Sequence, residues 1–261
     1  MNPITPGTAE FLLAFADDEH LMGQQHTEWI GIAPFLEEDM AFASIAQDEL
    51  SHAALLYAIV ADDGQGGPPD DRAIDKLAFD RTANDYRSAQ IVEVACTGWA
   101  HALVRHWLYD TAEELRWTLV EDSDLEPLKD AAAHAAREER FHIRHADGLI
   151  DVLLRTPDSA DRLADAVRDL LPLAMSLFDP VAEEAEAVEA GVASAPFDTM
   201  LPEWTDRVRT RFPDIDIGSV SAPELTGRTQ RHGDFPALLA RMNKVRGIDP
   251  TAIWSDATVR Q

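Results

Sequence analysis

Four long stretches of this chain repeat apolar residues at alternating steps of three and four. Midway along each stripe, ionisable side chains stand where core residues belong. Residues with that spacing share one face of an α-helix. Residues 8–31 align Phe11, Phe15, Asp18, Met22, Gln25 and Trp29, and residues 35–61 align Phe42, Ile45, Glu49, His52, Leu56 and Ile59. Residues 88–121 align Trp99, Leu103, His106, Asp110, Glu113 and Trp117. Residues 127–155 carry the most regular stripe: Leu128, Ala132, Ala135, Glu139, His142, Ala146, Leu149 and Leu153. Gly31 and Pro34 separate the first two helices, Pro34 where a first helical turn tolerates proline. No segment shows the alternation of a half-buried strand, so the expected fold is all-α.

The rest of the chain connects or follows these helices. Residues 62–71 read as a loop, and their glycines lack the lysine and hydroxyl residue of a phosphate loop. Residues 74–87 form a connector or short helix, and residues 159–178 a fifth amphipathic helix that Pro172 is expected to kink. Residues 183–189 are acidic and alanine-rich. Beyond residue 191, prolines and short apolar runs predict an irregular tail with brief helices near Trp204 and around 238–242. The expected organisation is a helical bundle over residues 1–190, with an extension of short helices packed on it over 191–261.

The interruptions carry the chemistry. Glu49 with His52, and Glu139 with His142, form two Glu-x-x-His motifs. Three residues apart on a helix, a carboxylate and an imidazole project side by side and can grip one metal. Chance alone supplies about 0.7 such pairs at this composition, so the spacing decides little and the placement decides more. Each motif lies on an otherwise apolar stripe, and an acid lies about 30 residues upstream on the preceding helix: Asp18 before Glu49, Asp110 before Glu139. Burying six ionisable side chains is costly unless their charge is compensated, and a pair of iron ions would compensate it. Di-iron bundles use one carboxylate from each of two helices and a Glu-x-x-His from each of the other two. The expected metal set is therefore Asp18, Glu49, His52, Asp110, Glu139 and His142, drawn from a helix pair and its internal echo.

Two other readings stay open: the motifs are ordinary core or surface groups, or the ligands keep their identity and bind nothing. Glu19 competes with Asp18, because it is longer and turns inward if the helix rotates slightly; the seam through Phe15 and Met22 favours Asp18. His106, one turn before Asp110, reads as a core histidine or as a group orienting that carboxylate. Glu28 and Glu113 are candidate polar core residues. His20, His26, His101, His134 and His145 are assigned to the surface or an interface, and the tryptophans to the core or to contacts between subunits.

Charge limits the partners. Asp and Glu number 48 against 22 Lys and Arg, a formal charge of −26. Such a field repels nucleic acid and anionic membranes, and neither is expected as a partner. It suits either a solvated surface adapted to high salt or an acidic docking face for a basic subunit. No apolar run approaches a membrane span, and residues 1–10 lack a signal pattern, which predicts a cytoplasmic protein. Cys96 is the single cysteine, so no internal disulfide forms.

Specific motifs extend the reading. The runs Glu28-Trp29-Ile30-Gly31-Ile32-Ala33-Pro34, Leu36-Glu37-Glu38-Asp39 and Gln47-Asp48-Glu49-Leu50-Ser51-His52 resemble the ferritin-like subunits of phenylacetyl-CoA epoxidase. Ala16-Asp17-Asp18 and Arg137-Glu138-Glu139-Arg140-Phe141-His142 extend the likeness, which covers roughly residues 10–180; the tail matches loosely through His232 and Leu239-Ala240-Arg241-Met242. The resemblance implies a ferritin-like four-helix bundle with additional C-terminal helices. It also implies a subunit of a multicomponent ring-epoxidising monooxygenase that uses dioxygen and electrons from a separate reductase subunit. The Glu-Trp-x-Gly-x-Ala-Pro and Ala-Asp-Asp signatures are similar to the C-type subunit, which pairs with the catalytic subunit; the intact ligand set is similar to that catalytic, di-iron A-type subunit. An oligomer is implied. Two alternatives compete with that reading: a di-iron oxygenase acting alone on another aromatic or acyl-CoA, and a ferritin-like iron-handling or interaction protein.

Overall fold

The computed structural model describes residues 4–64, 70–219 and 228–249. The middle of the glycine-proline loop (65–69) and the parts of the expected tail at 220–227 and 250–261 lie outside them. Ten α-helices occur among the described residues: α1 Pro6–Thr27, α2 Leu36–Ala61, α3 Asp71–Phe79, α4 Gln90–Glu93, α5 Trp99–Thr118, α6 Glu126–Leu153, α7 Pro157–Ala174, α8 Ala185–Glu189, α9 Leu201–Arg211 and α10 Phe235–Met242. The fold is all-α.

Local chemistry sets the helix ends. Thr5 caps α1 by accepting from the Thr8 amide at 3.1 Å, with Pro6 in the first turn. The α1–α2 corner turns at Gly31, whose φ of +86° is a left-handed conformation that suits glycine. Asp39, in the first turn of α2, fastens the corner by accepting from the Gly31 amide at 2.7 Å. That corner ends α1 at Thr27, earlier than the expected residue 31.

The helices α1, α2, α5 and α6 form the bundle. Cross-helix contacts give their directions. Asp17 meets Tyr57 and His26 meets Phe42, so α2 runs antiparallel to α1. Asp18 meets Arg116 and His26 meets His106, so α5 is also antiparallel to α1. Glu138 reaches His52 and Asp48 reaches His142, so α6 is antiparallel to α2. Consequently α2 and α5 point the same way, and the connection between them spans the length of the bundle. One long crossover between two antiparallel pairs is the ferritin-like topology.

Two differences from expectation concern this crossover and α7. The predicted helix over 88–121 is broken: only α4 forms early, residues 94–98 are not helical, with Val94 and Gly98 extended, and α5 begins after Gly98 at its N-cap. Backbone and side chain account for the break. Val94 is extended, and its carbonyl accepts from Gln25 and Arg105, leaving it unavailable to a continuing helix. Pro172 does not visibly divide α7, which ends two residues later and tightens into a 3-10 turn over Met175–Phe178.

The core has two main parts. One joins α1, α5, α6 and α7 to Trp204 of α9 and to Phe235 and Leu238 of α10; the other joins α1, α2 and α6 to Phe197. Between them lies a polar layer. From Ala14 to Met22 every α1 residue is buried, whichever side it faces. Ala102 to Glu113 of α5 is likewise buried throughout. These two helices are enclosed on all sides, while α2 and α6 each keep one face in solvent.

Candidate metal centre

Glu49 and His52 of α2 face Glu139 and His142 of α6, with Glu19 from α1 and Asp110 from α5 completing the set. All six side chains are buried. Their donor atoms fall into two overlapping groups: Glu19, Glu49, His52 and Glu139 in one, and Glu49, Asp110, Glu139 and His142 in the other. Within each group the donors lie within 4.8 Å of one another. Glu49 and Glu139 belong to both.

The geometry of Glu139 shows how the groups join. Its Oε1 lies 3.7 Å from His52 Nδ1, and its Oε2 lies 3.7 Å from His142 Nδ1. One carboxylate thus turns an oxygen to each imidazole, as a bridge between two ions would. Glu49 Oε1 stands 3.8 Å from His142 Nδ1. Glu19 Oε2 stands 3.3 Å from His52 Nδ1, and its other oxygen accepts from the Trp117 indole at 3.1 Å.

Five of the six residues expected from the sequence meet here. Asp18 does not. Its carboxylate is turned away and held by the guanidinium groups of Arg116 at 2.7 Å and Arg228 at 2.6 Å, and it accepts from the Ala89 amide at 2.6 Å. Two buried arginines take the shorter acid, and its neighbour Glu19, one methylene longer and about 100° further round the helix, takes the central position.

Each imidazole is fixed from outside by a carboxylate of the opposite helix. His52 Nε2 lies 2.7 Å from Glu138, and His142 Nε2 lies 3.2 Å from Asp48. Each acid immediately precedes the motif glutamate on its own helix, so the two motifs support each other crosswise. Such contacts fix the tautomer and leave Nδ1 facing the centre. The signal is present in the sequence as Asp48-Glu49 and Glu138-Glu139, but spacing along one helix does not assign the first acid of each pair to the other.

Electrostatics reflect the crowding of acids. Burial raises Glu49 well above the usual carboxylate range, and the charges of Glu19 and Glu139 raise it further. Burial also raises Glu139, to about 7, against the influence of the nearby His142 imidazole. Burial works against an ionised Glu19, yet the neighbouring Glu49 carboxyl and the charge of His52 hold it at about 2. Burial likewise opposes charging the histidines. The charge of Glu19 and the Glu138 contact nonetheless lift His52 to about 11, and contacts with Asp48 and Glu139 lift His142 to about 10.

The donor set fits a pair of divalent cations. Both oxygens of Glu49, Asp110 and Glu139, together with Nδ1 of His142, are buried without a hydrogen-bond partner. Such orphaned atoms are rare and costly without a compensating group. Four carboxylates balance two divalent charges, and mixed carboxylate–imidazole donors suit iron or manganese rather than thiolate-seeking metals.

Around this centre, His106 Nδ1 lies 2.7 Å from Asp110 Oδ2 without hydrogen-bond alignment, and Glu113 pairs with Arg116 at 2.6 Å. Glu28 is not a core group: it is partly exposed and paired with Arg241. Expected at the surface or an interface, His20 and His26 are instead buried against Phe79 and Phe42. Burial lowers both their pKa values, His20 to about 3. Cavities of about 590 and 540 Å³ open beside Trp107 and Trp99, away from the six residues; a third, of about 320 Å³, reaches Trp117, the neighbour of Glu19.

Fold and donor set together define a ferritin-like helical bundle with a carboxylate–histidine cluster at its centre. The chain belongs to the phenylacetic acid catabolic protein family, whose sequence profile matches residues 4–254. It is similar to the C subunit of 1,2-phenylacetyl-CoA epoxidase from Escherichia coli (strain K12), with 26% identity across 97% of this chain and the whole of the relative. No helix among the described residues is long and apolar enough to cross a membrane.

Proposed function

We propose that this chain is the C-type subunit of a multicomponent phenylacetyl-CoA ring-epoxidising monooxygenase, and that it holds a di-iron centre of its own. End-to-end similarity to the epoxidase protein supports the first part. The second is carried by one observation: both oxygens of Glu139 face a different imidazole and neither has another partner. In this reading the chain pairs with a homologous catalytic subunit, and electrons arrive from a separate reductase.

Two iron ions, when bound, supply the redox chemistry that activates dioxygen. The protein's own residues position and insulate. Glu19, Glu49, His52, Asp110, Glu139 and His142 would hold the ions, Glu49 and Glu139 being the two that belong to both donor groups. Glu138 and Asp48 orient the two imidazoles from outside. Phe15, Leu56, Trp117, Ala135 and Ala146 are buried and keep bulk water from this layer. Glu49 and both histidines must give up protons before they can ligate, so the same groups couple occupancy to proton release.

Anaerobic loading with ferrous iron, followed by metal analysis of the desalted chain, tests the centre. Close to two iron per chain is expected, and under about 0.2 would reject it. Co-expression with a candidate catalytic subunit tests the assignment to the complex, and failure to co-purify counts against it. A second reading follows from the complete ligand set: an oxygenase or iron-handling protein acting alone. It predicts iron-dependent dioxygen consumption by the isolated chain.

A further inference from the structure

Just outside the centre lies a second group of metal-binding type. His134 and Glu138 stand one turn apart on α6, with His134 Nδ1 3.0 Å from Glu138 Oε2. The same oxygen lies 2.7 Å from Nε2 of His52 on α2. Side-chain exposure falls along this row, from 62% at His134 to 26% at Glu138 and 1% at His52. Beyond His52 lies the centre, which the ring faces through its other nitrogen.

The three donor atoms lie within 4.8 Å of one another. Donors bound to one ion at about 2.1 Å, at right angles, stand about 3 Å apart, close to the 3.0 and 2.7 Å that separate Glu138 from the two imidazole nitrogens. The internal echo of the helix pairs supplies a comparison. On the opposite side, Asp48 does for His142 what Glu138 does for His52. One turn before Asp48, however, stands Ser44 rather than histidine. Orienting an imidazole therefore needs only the carboxylate, and His134 adds a metal donor that orientation does not require. The surface around it belongs to a chain of formal charge −26, which concentrates cations.

We propose that His134, Glu138 and the outer nitrogen of His52 form a capture site for a divalent cation, which then passes inward past the His52 ring to the buried centre. The ion arrives hydrated and exchanges waters for His134, Glu138 and His52 Nε2, whose proton passes to solvent. It leaves inward as Nε2 takes a proton back and returns to its hydrogen bond with Glu138. No electron transfer is involved. This rests on reading the inner cluster as a metal centre, and the test separates the two.

Cobalt(II) is the probe, added anaerobically to the metal-free full chain and followed by visible absorption and stopped-flow. His134 is exposed, so His134→Ala leaves the fold intact by circular dichroism. It should fill the inner centre to the same final stoichiometry as the unaltered chain, but about tenfold more slowly; an unchanged rate overturns the proposal. Glu49→Gln/Glu139→Gln, near-isosteric changes that disable the centre, should still bind one cobalt with histidine-ligand bands, and adding His134→Ala should abolish it. Absence of that outer ion also overturns the proposal. An outer ion with no inner filling in the unaltered chain would sink the centre and leave the surface site standing.

Discussion

Glu138 on α6 holds the imidazole of His52 on α2 at 2.7 Å, although its own neighbour Glu139 belongs to a motif with His142. Asp48 returns the relationship at 3.2 Å to His142. Each Glu-x-x-His motif is thus completed by the other helix, and neither is finished alone. Asp48→Ala should weaken one of two bound ions by about 10- to 100-fold and leave the other near its original affinity. Chelator competition with two resolved dissociation steps measures this; equal weakening of both ions would show that the crossed contacts do not act separately.

Adjacent acids on α1 have opposite duties. Asp18 neutralises Arg116 and Arg228, both buried, and Arg228 further donates to the carbonyl of Asp179, tying the described part of the tail to the bundle. Removing one member of a buried ion pair leaves an uncompensated charge that costs about 3–5 kcal/mol. Asp18→Asn should therefore lower the denaturation midpoint markedly, while the folded fraction still binds metal. Glu19→Gln should also lower the midpoint, because the buried His52 charge loses a partner, but unlike Asp18→Asn it should lose at least one ion. Urea denaturation and metal analysis on both variants check the pair of outcomes, and loss of metal only in Asp18→Asn would restore Asp18 to the centre.

Much of this was legible because α2 and α6 are amphipathic. Each keeps a solvent face, so periodicity fixes which residues turn inward, and it places Glu49, His52, Glu139 and His142 directly. The enclosed helices α1 and α5 offer no such contrast. Asp17, Asp18, Glu19 and His20 are all buried, so burial could not single out one acid. Asp18 and Glu19 are separated only by tertiary partners: Arg228 is 210 residues away in sequence, and no local pattern announces it. The end of the crossover failed for a different reason. Its apolar residues fit a helix, but Gln25 and Arg105 claim the Val94 carbonyl from other parts of the chain.

Sharing of Glu139 between both imidazoles makes the two ions interdependent. Glu139→Gln keeps the shape and removes the charge that both would use. With the outer site emptied by His134→Ala, bound metal should fall from two ions per chain toward none rather than to one, because the remaining donors of each half lose their common anion. The metal-free variant should be at least as stable as the unaltered chain, since a buried acid under repulsion from Asp110 and Glu19 has been neutralised. Metal content and thermal midpoints of the metal-free forms decide it; one tightly held ion would mean that the halves are independent.

In the metal-free chain, protons do the work of cations. His52 and His142, raised to about 11 and 10 from an ordinary 6.5, stabilise the fold fully below about 6.5 and lose that contribution as pH climbs toward their folded values. Glu139, near 7, adds to the loss: its folded form prefers to stay neutral, while the unfolded carboxylate ionises above 4.5. Glu19 acts oppositely, stabilising above 4.5 and losing that contribution as pH falls toward about 2. The metal-free midpoint should accordingly peak in mild acid and decline between about pH 5 and pH 9. Metal must displace these protons, so affinity rises with pH across the same interval, and the loaded chain should not show the decline. Thermal midpoints with and without zinc, together with proton release on zinc addition in weak buffer, test both halves. A metal-free midpoint that rises steadily toward pH 9 would mean that the buried acids and imidazoles do not share protons as their distances require.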